Sequence, residues 1–107
     1  MRFPLKLNLS MTSYLAKMGW QKQEHFPLVL MLEPLHKCNL ACQGCGRIRE
    51  YGDSMDKVLS TAECLASARD CGAPVVSVSG GEPLLHPSID EIVAELLDMG
   101  RHVYLCT

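Results

Sequence analysis

Long hydrophobic runs are missing from this sequence. The longest uncharged apolar stretch, Phe26 to Leu32, falls far short of the roughly 20 residues needed to span a bilayer, so no membrane-spanning helix is expected. No apolar core of a secretory leader follows Met1-Arg2-Phe3-Pro4. Positive charge is not in excess either: 10 Lys and Arg stand against 12 Asp and Glu, with no basic cluster, and a nucleic-acid partner is not expected. Internal repeats and low-complexity linkers are absent. That leaves one structural unit, residues 26–107, behind an N-terminal extension, residues 1–25. The chain has 107 residues, 48% of them hydrophobic, enough to build a core without disulfide staples. Its six cysteines are therefore expected to be reduced and its location cytoplasmic.

Along the chain, apolar residues mark alternating strands and helices. Within the extension, Met11, Tyr14, Leu15 and Met18 recur at i, i+3, i+4 and i+7 between Ser10, a candidate N-cap, and Gly19, which predicts a short amphipathic helix. Its apolar face has two possible destinations: the sheet, as a closing helix, or a membrane surface. The run from Phe26 to Glu33 reads as a strand buried on both faces of a parallel sheet. Ser60-Thr61-Ala62-Glu63 is a capping box opening a helix that Cys71-Gly72 stops, and Pro74 to Ser79 is a second strand. Ser88-Ile89-Asp90-Glu91 repeats the capping pattern ahead of an apolar face of Ile89, Ile92, Val93, Leu96 and Leu97. Gly100 ends that helix, and His102 to Cys106 is a third strand. The order β-α-β-α-β predicts an α/β fold with parallel strands and right-handed crossovers. Ligands of such units gather at the carboxyl ends of the strands, where the segments around Cys38, Gly80 and Cys106 all fall. A three-stranded parallel sheet ending at Thr107 exposes an open edge, so we expect the chain to be the N-terminal part of a longer protein.

Cys38-Asn39-Leu40-Ala41-Cys42-Gln43-Gly44-Cys45 holds three thiols in the spacing C-x3-C-x2-C. A [4Fe-4S] cluster takes four ligands, so three thiolates leave one iron open, and an open iron points to catalysis. Structural zinc is the competing reading, because Cys42 and Cys45 alone suit it, although zinc usually needs a second ligand pair at matching spacing. Gly80-Gly81 taken alone is a strand-to-helix turn. Cys64 and Cys71 lie seven apart on one helix and read as small buried hydrophobes, and His25, His36, His86 and His102 as surface or structural histidines.

Taken together, C-x3-C-x2-C after a first strand and Gly80-Gly81-Glu82-Pro83 after a second resemble the radical S-adenosylmethionine (SAM) enzymes. The resemblance implies the N-terminal part of a partial (β/α)6, TIM-like barrel. It implies Cys38, Cys42 and Cys45 as ligands of a [4Fe-4S] cluster, S-adenosyl-L-methionine on the open iron, and an electron donor such as flavodoxin or ferredoxin. Gly80, Gly81 and Glu82 would meet the SAM amino group, with Pro83 shaping the turn. Where many members carry an aromatic residue ahead of the third cysteine, this chain has Gly44.

The wording around the motifs is more particular. Pro27 to Leu35, Cys45-Gly46-Arg47-Ile48, Cys71 to His86 and Val103 to Thr107 resemble the adenosylhopane synthases of hopanoid biosynthesis. That implies a hopene-type lipid substrate, to whose alkene the 5′-deoxyadenosyl radical adds, and it favours a peripheral contact of the extension with the inner face of the membrane. The carbon radical left on the product needs a hydrogen atom, and Cys106 is the candidate donor; a buried strand cysteine is the plainer reading. Other radical SAM activities, such as peptide or nucleoside modification, and a non-catalytic metal-binding module remain the alternatives.

Overall fold

The computed structural model describes residues 4–38 and 56–107. Three parallel strands, β1 (Val29–Leu32), β2 (Val75–Val78) and β3 (His102–Leu105), form one sheet in the order β1-β2-β3. Helix α1 (Leu5–Trp20) precedes the sheet, α2 (Thr61–Cys71) leads into β2, and a 3-10 turn (Pro83–Leu85) with α3 (Ile89–Asp98) leads into β3. The chain is α/β, and its sheet and crossovers are those of the first part of a partial barrel.

Local chemistry explains where the two crossover helices start. Ser60 accepts the Glu63 N–H at 3.1 Å on its hydroxyl while the Glu63 carboxylate reaches back to the Ser60 N–H, so the expected capping box forms. Gly72 ends α2 in the left-handed conformation, φ +72°. The second predicted box does not form. Ser88 makes no side-chain cap; its N–H instead donates to Nδ1 of His86 at 3.0 Å, because the buried His86 ring folds back over the start of α3.

The core lies on one face of the sheet. Leu32, Val76 and Val78 pack with Cys64, Leu65 and Ala68 of α2 and with Ile92 and Leu96 of α3. Each aliphatic side chain so buried contributes about 1.5–3 kcal/mol relative to exposure. Leu97, expected in that apolar face, is exposed: the face that meets the sheet centres on Ile92 and Leu96, and Leu97 sits one residue around the helix. Among the described residues the other face is only partly covered, Val75 being buried there while Val29 and Met31 are exposed, which corrects the expectation for β1. Leu32 is 4% exposed but Met31 70%, so alternate residues of this strand point to core and away from it.

Helix α1 is longer than its sequence pattern suggested. It begins right after Pro4, and Ser10 lies inside it rather than capping it, since Leu7 already shares the half-buried side with Ser10, Met11, Tyr14 and Met18. Tyr14 ties it to the residues just before β1: its hydroxyl donates to the Pro27 carbonyl at 2.6 Å, and its ring meets Phe26 edge to face at 5.9 Å. None of its residues is fully buried, and Leu5, Leu9 and Trp20 face outward. Among the described residues no helix is long and apolar enough to cross a membrane.

Candidate functional site

At the carboxyl ends of the strands, the segments after β1 and β2 are zipped together by backbone hydrogen bonds. Ser79 N–H donates to Leu32 O at 2.9 Å, Gly81 N–H to Leu35 O at 3.1 Å and Glu82 N–H to Lys37 O at 2.9 Å. These bonds join the two segments from Leu32, the last residue of β1, up to Lys37, the residue next to Cys38. On the far side, Cys106 N–H donates to Val78 O at 2.9 Å, which holds the end of β3 to the same rim. The three segments that the sequence places at one edge do meet there.

The two glycines make this approach possible. At Gly80, where φ is +120°, a Cβ would collide with the Leu35 carbonyl oxygen; at Gly81 it would collide with the carbonyl oxygens of His36 and Lys37. The partner of the close approach is thus the backbone leading to Cys38. Alternation along the sequence could not reveal this, because it depends on which strand lies beside β2.

Glu82 is 7% exposed and turned into the rim. Its Oε1 accepts the Leu84 N–H at 3.1 Å, with Pro83 opening the short turn between them, and the Thr107 hydroxyl at 2.7 Å. Thr107 carried no sequence signal of its own; its role appears once β3 sits beside β2. Oε2 takes no hydrogen bond among the described residues and is not sealed in the core, the unpartnered buried side-chain atom there being Arg101 Nε. It is an acceptor left without a partner among the described residues.

Cys38 is half-buried and lies on this rim, while Cys42, Cys45 and Gly44 fall outside the described residues. Cys106 is exposed, one residue past β3. The register pairs Ser77 with Tyr104, so Cys106, two residues on, shares their face of the sheet, the one turned away from the helices. Its Sγ lies 3.7 Å from the Ser77 hydroxyl.

Cys64 and His86 are built into the fold. Cys64 is fully buried among core residues, and burial, with the Glu63 carboxylate adding to it, pushes its thiol up. Cys71 is half-buried at the end of α2. His86 accepts the Ser88 N–H on Nδ1, so its Nε2–H donates to Leu59 O at 2.7 Å; both ring nitrogens are engaged in pinning the turn after Glu82 against the start of α2. His36 lies 3.6 Å from the Glu33 carboxylate.

Among the described residues no group of three His, Cys, Asp or Glu side chains is placed to hold a metal, and what they do offer suits a cationic ligand. A thiol and a free carboxylate oxygen sit on one rim, and the glycine positions are closed to side chains. A profile of the radical SAM superfamily matches residues 32–107. Among curated proteins, a PqqA peptide cyclase of Xanthomonas euvesicatoria pv. vesicatoria (strain 85-10) is 33% identical over 84 residues. That match covers 76% of this chain and 22% of that protein, so the chain spans under a quarter of the length of the relative it matches. No solved structure matches.

Proposed function

The chain belongs to the radical SAM superfamily, and on that premise we propose that it is the cluster- and SAM-binding part of an adenosylhopane synthase of the HpnH type. The proposed reaction cleaves SAM and adds the 5′-deoxyadenosyl radical to the alkene of hopene. The cluster, when bound by Cys38, Cys42 and Cys45, supplies the electron for that cleavage, received from a donor such as flavodoxin or ferredoxin. The chain's own residues bind and orient. Glu82 Oε2 takes the SAM ammonium in a charge-assisted hydrogen bond, and Gly80 and Gly81 hold that carboxylate against the cysteine segment. The observation that carries the reading is the backbone zipper from Leu32 to Lys37, which sets Glu82 beside Cys38.

For the substrate, support comes from the resemblance of the residues around the motifs and from Cys106. We read the exposed Cys106 thiol, on the sheet face away from the helices, as the group that gives its hydrogen atom to a carbon radical held on that side; the thiyl radical left behind takes one electron from the same flavodoxin or ferredoxin donor and a proton from solvent. The outward Leu5 and Leu9 of α1, with Trp20 89% exposed, support a peripheral contact with lipid. Arg2, Lys6, Lys17 and Lys22 all precede the first acidic residue, Glu24, which suits an anionic surface. A second reading, modification of a peptide, is favoured by the similarity to the PqqA peptide cyclase.

The test is electron paramagnetic resonance of the full-length, anaerobically reconstituted and reduced protein with and without SAM, followed by product analysis with hopene. A [4Fe-4S] signal altered by SAM, together with adenosylhopane, is the expected result. Bound zinc, or a cluster indifferent to SAM, would overturn the reading, and an altered signal without a hopene product would move the substrate to the peptide class.

A further inference from the structure

We propose that Thr107 is a positioning residue that sets the orientation of the Glu82 carboxylate, so that one of its oxygens is fixed and the other is offered to the SAM ammonium. The inference rests on the reading of Glu82 as the partner of that ammonium.

A glutamate side chain ends in a soft torsion and retains several rotamers when exposed, and its oxygens are equivalent until something distinguishes them. Here two donors converge on Oε1. The Leu84 N–H at 3.1 Å comes from the same turn, two residues away, and restrains the carboxylate loosely, because the turn and the side chain can rotate together. The Thr107 hydroxyl at 2.7 Å comes from 25 residues further on, at the end of another strand. Thr107 is itself held in place by its neighbour, since Cys106 N–H extends the β2–β3 ladder to Val78 O at 2.9 Å. The carboxylate is therefore clamped between two independently positioned elements. Oε2 is left without a hydrogen bond among the described residues.

This arrangement has a binding consequence. Ordering a free glutamate on ligand arrival costs rotamer entropy, whereas an acceptor ordered beforehand does not, so Thr107 strengthens SAM binding without touching SAM.

The experiment measures the SAM dissociation constant of the full-length reconstituted protein by equilibrium dialysis, with iron content determined on the same samples. Four variants are compared with wild type: Thr107→Val, Thr107→Ala, Thr107→Ser and Glu82→Gln. The expected result is SAM binding about three- to tenfold weaker in Thr107→Val and Thr107→Ala, the size of one hydrogen bond's net contribution. Thr107→Ser should bind as wild type, and iron content should be equal in all the threonine variants. Turnover at saturating SAM should be unchanged while KM for SAM rises. Weakened binding in Glu82→Gln with wild-type binding in both Thr107→Val and Thr107→Ala overturns the positioning role alone. Wild-type binding in Glu82→Gln overturns the reading of Glu82 and the role of Thr107 with it. A loss that Thr107→Ser does not restore, or one accompanied by lost iron, assigns Thr107 to the fold and overturns the proposal.

Discussion

Replacing Gly81 with alanine tests the zipper that builds the site. The space an alanine Cβ would need is occupied by the carbonyl oxygens of His36 and Lys37. These are backbone atoms, so they cannot swing aside as a flexible side chain would, and the segment before Cys38 must shift. Overpacking of this kind costs about 1–3 kcal/mol. The same shift pulls on the bonds from Gly81 N–H to Leu35 O and from Glu82 N–H to Lys37 O, at 3.1 and 2.9 Å. Each contributes about 0.5–1.5 kcal/mol net, so the whole loss is about 2–6 kcal/mol. Against a typical total of about 5–15 kcal/mol, that is a large fraction. Gly100→Ala is the matched comparison. Gly100 has φ +79° but open space around its Cβ position, so the variant should lose about 1–2 kcal/mol from backbone strain alone. Urea unfolding of the full-length apoprotein, with iron and sulfide content after reconstitution, reads both effects. Gly81→Ala is expected to unfold earlier than Gly100→Ala and to take up less cluster. If Gly81→Ala loses no more than Gly100→Ala and fills with iron normally, the close approach is not what builds the site.

Four further outcomes follow from the same geometry. Ser60→Ala should lose about 1 kcal/mol because it breaks a formed capping box, whereas Ser88→Ala should change stability by less than about 0.5 kcal/mol because its side chain caps nothing; thermal unfolding compares them. In the folded protein Cys64 holds its proton to a higher pH than in the unfolded chain. Its contribution to stability is therefore full below the ordinary thiol range, about 8.5, and declines as pH rises through it. Alkylation should accordingly reach Cys106 in the native apoprotein and Cys64 upon unfolding, and native labelling of Cys64 would contradict this burial. If the proposed reaction with hopene is right, Cys106→Ala in the full-length protein should leave SAM cleavage intact but lower the yield of adenosylhopane or scramble its stereochemistry, and unchanged products would remove the proposed role as hydrogen donor. Removal of residues 1–25 should reduce co-sedimentation with anionic vesicles; equal binding with and without them would discard the membrane contact.

Much of this protein is legible in order along the chain, because the forces concerned are local. The Ser60 box acts over three residues, the stop at Gly72 over one turn, and the β-branched run of β2 over a single strand. The cysteine spacing and the Gly-Gly-Glu-Pro segment likewise declare a family by themselves, and the alternation of elements declares a parallel α/β sheet. The misreadings came where two local signals competed or where burial mattered. Ser88 had the right residues for a box, but a buried histidine took its N–H. The apolar run of β1 suggested cover on both sides, yet Val29 and Met31 are exposed, because an apolar residue does not state what lies against it.

What the tertiary structure alone decided is contact between segments far apart in the chain. Gly81 meets the carbonyls of His36 and Lys37, and Thr107 meets Glu82, because β2 lies between β1 and β3 in register. No property of a glycine or a threonine encodes its neighbour across a sheet. That neighbour is set by strand order and by the burial of Leu32, Val76 and Val78 against two helices, and the site inherits its geometry from that packing.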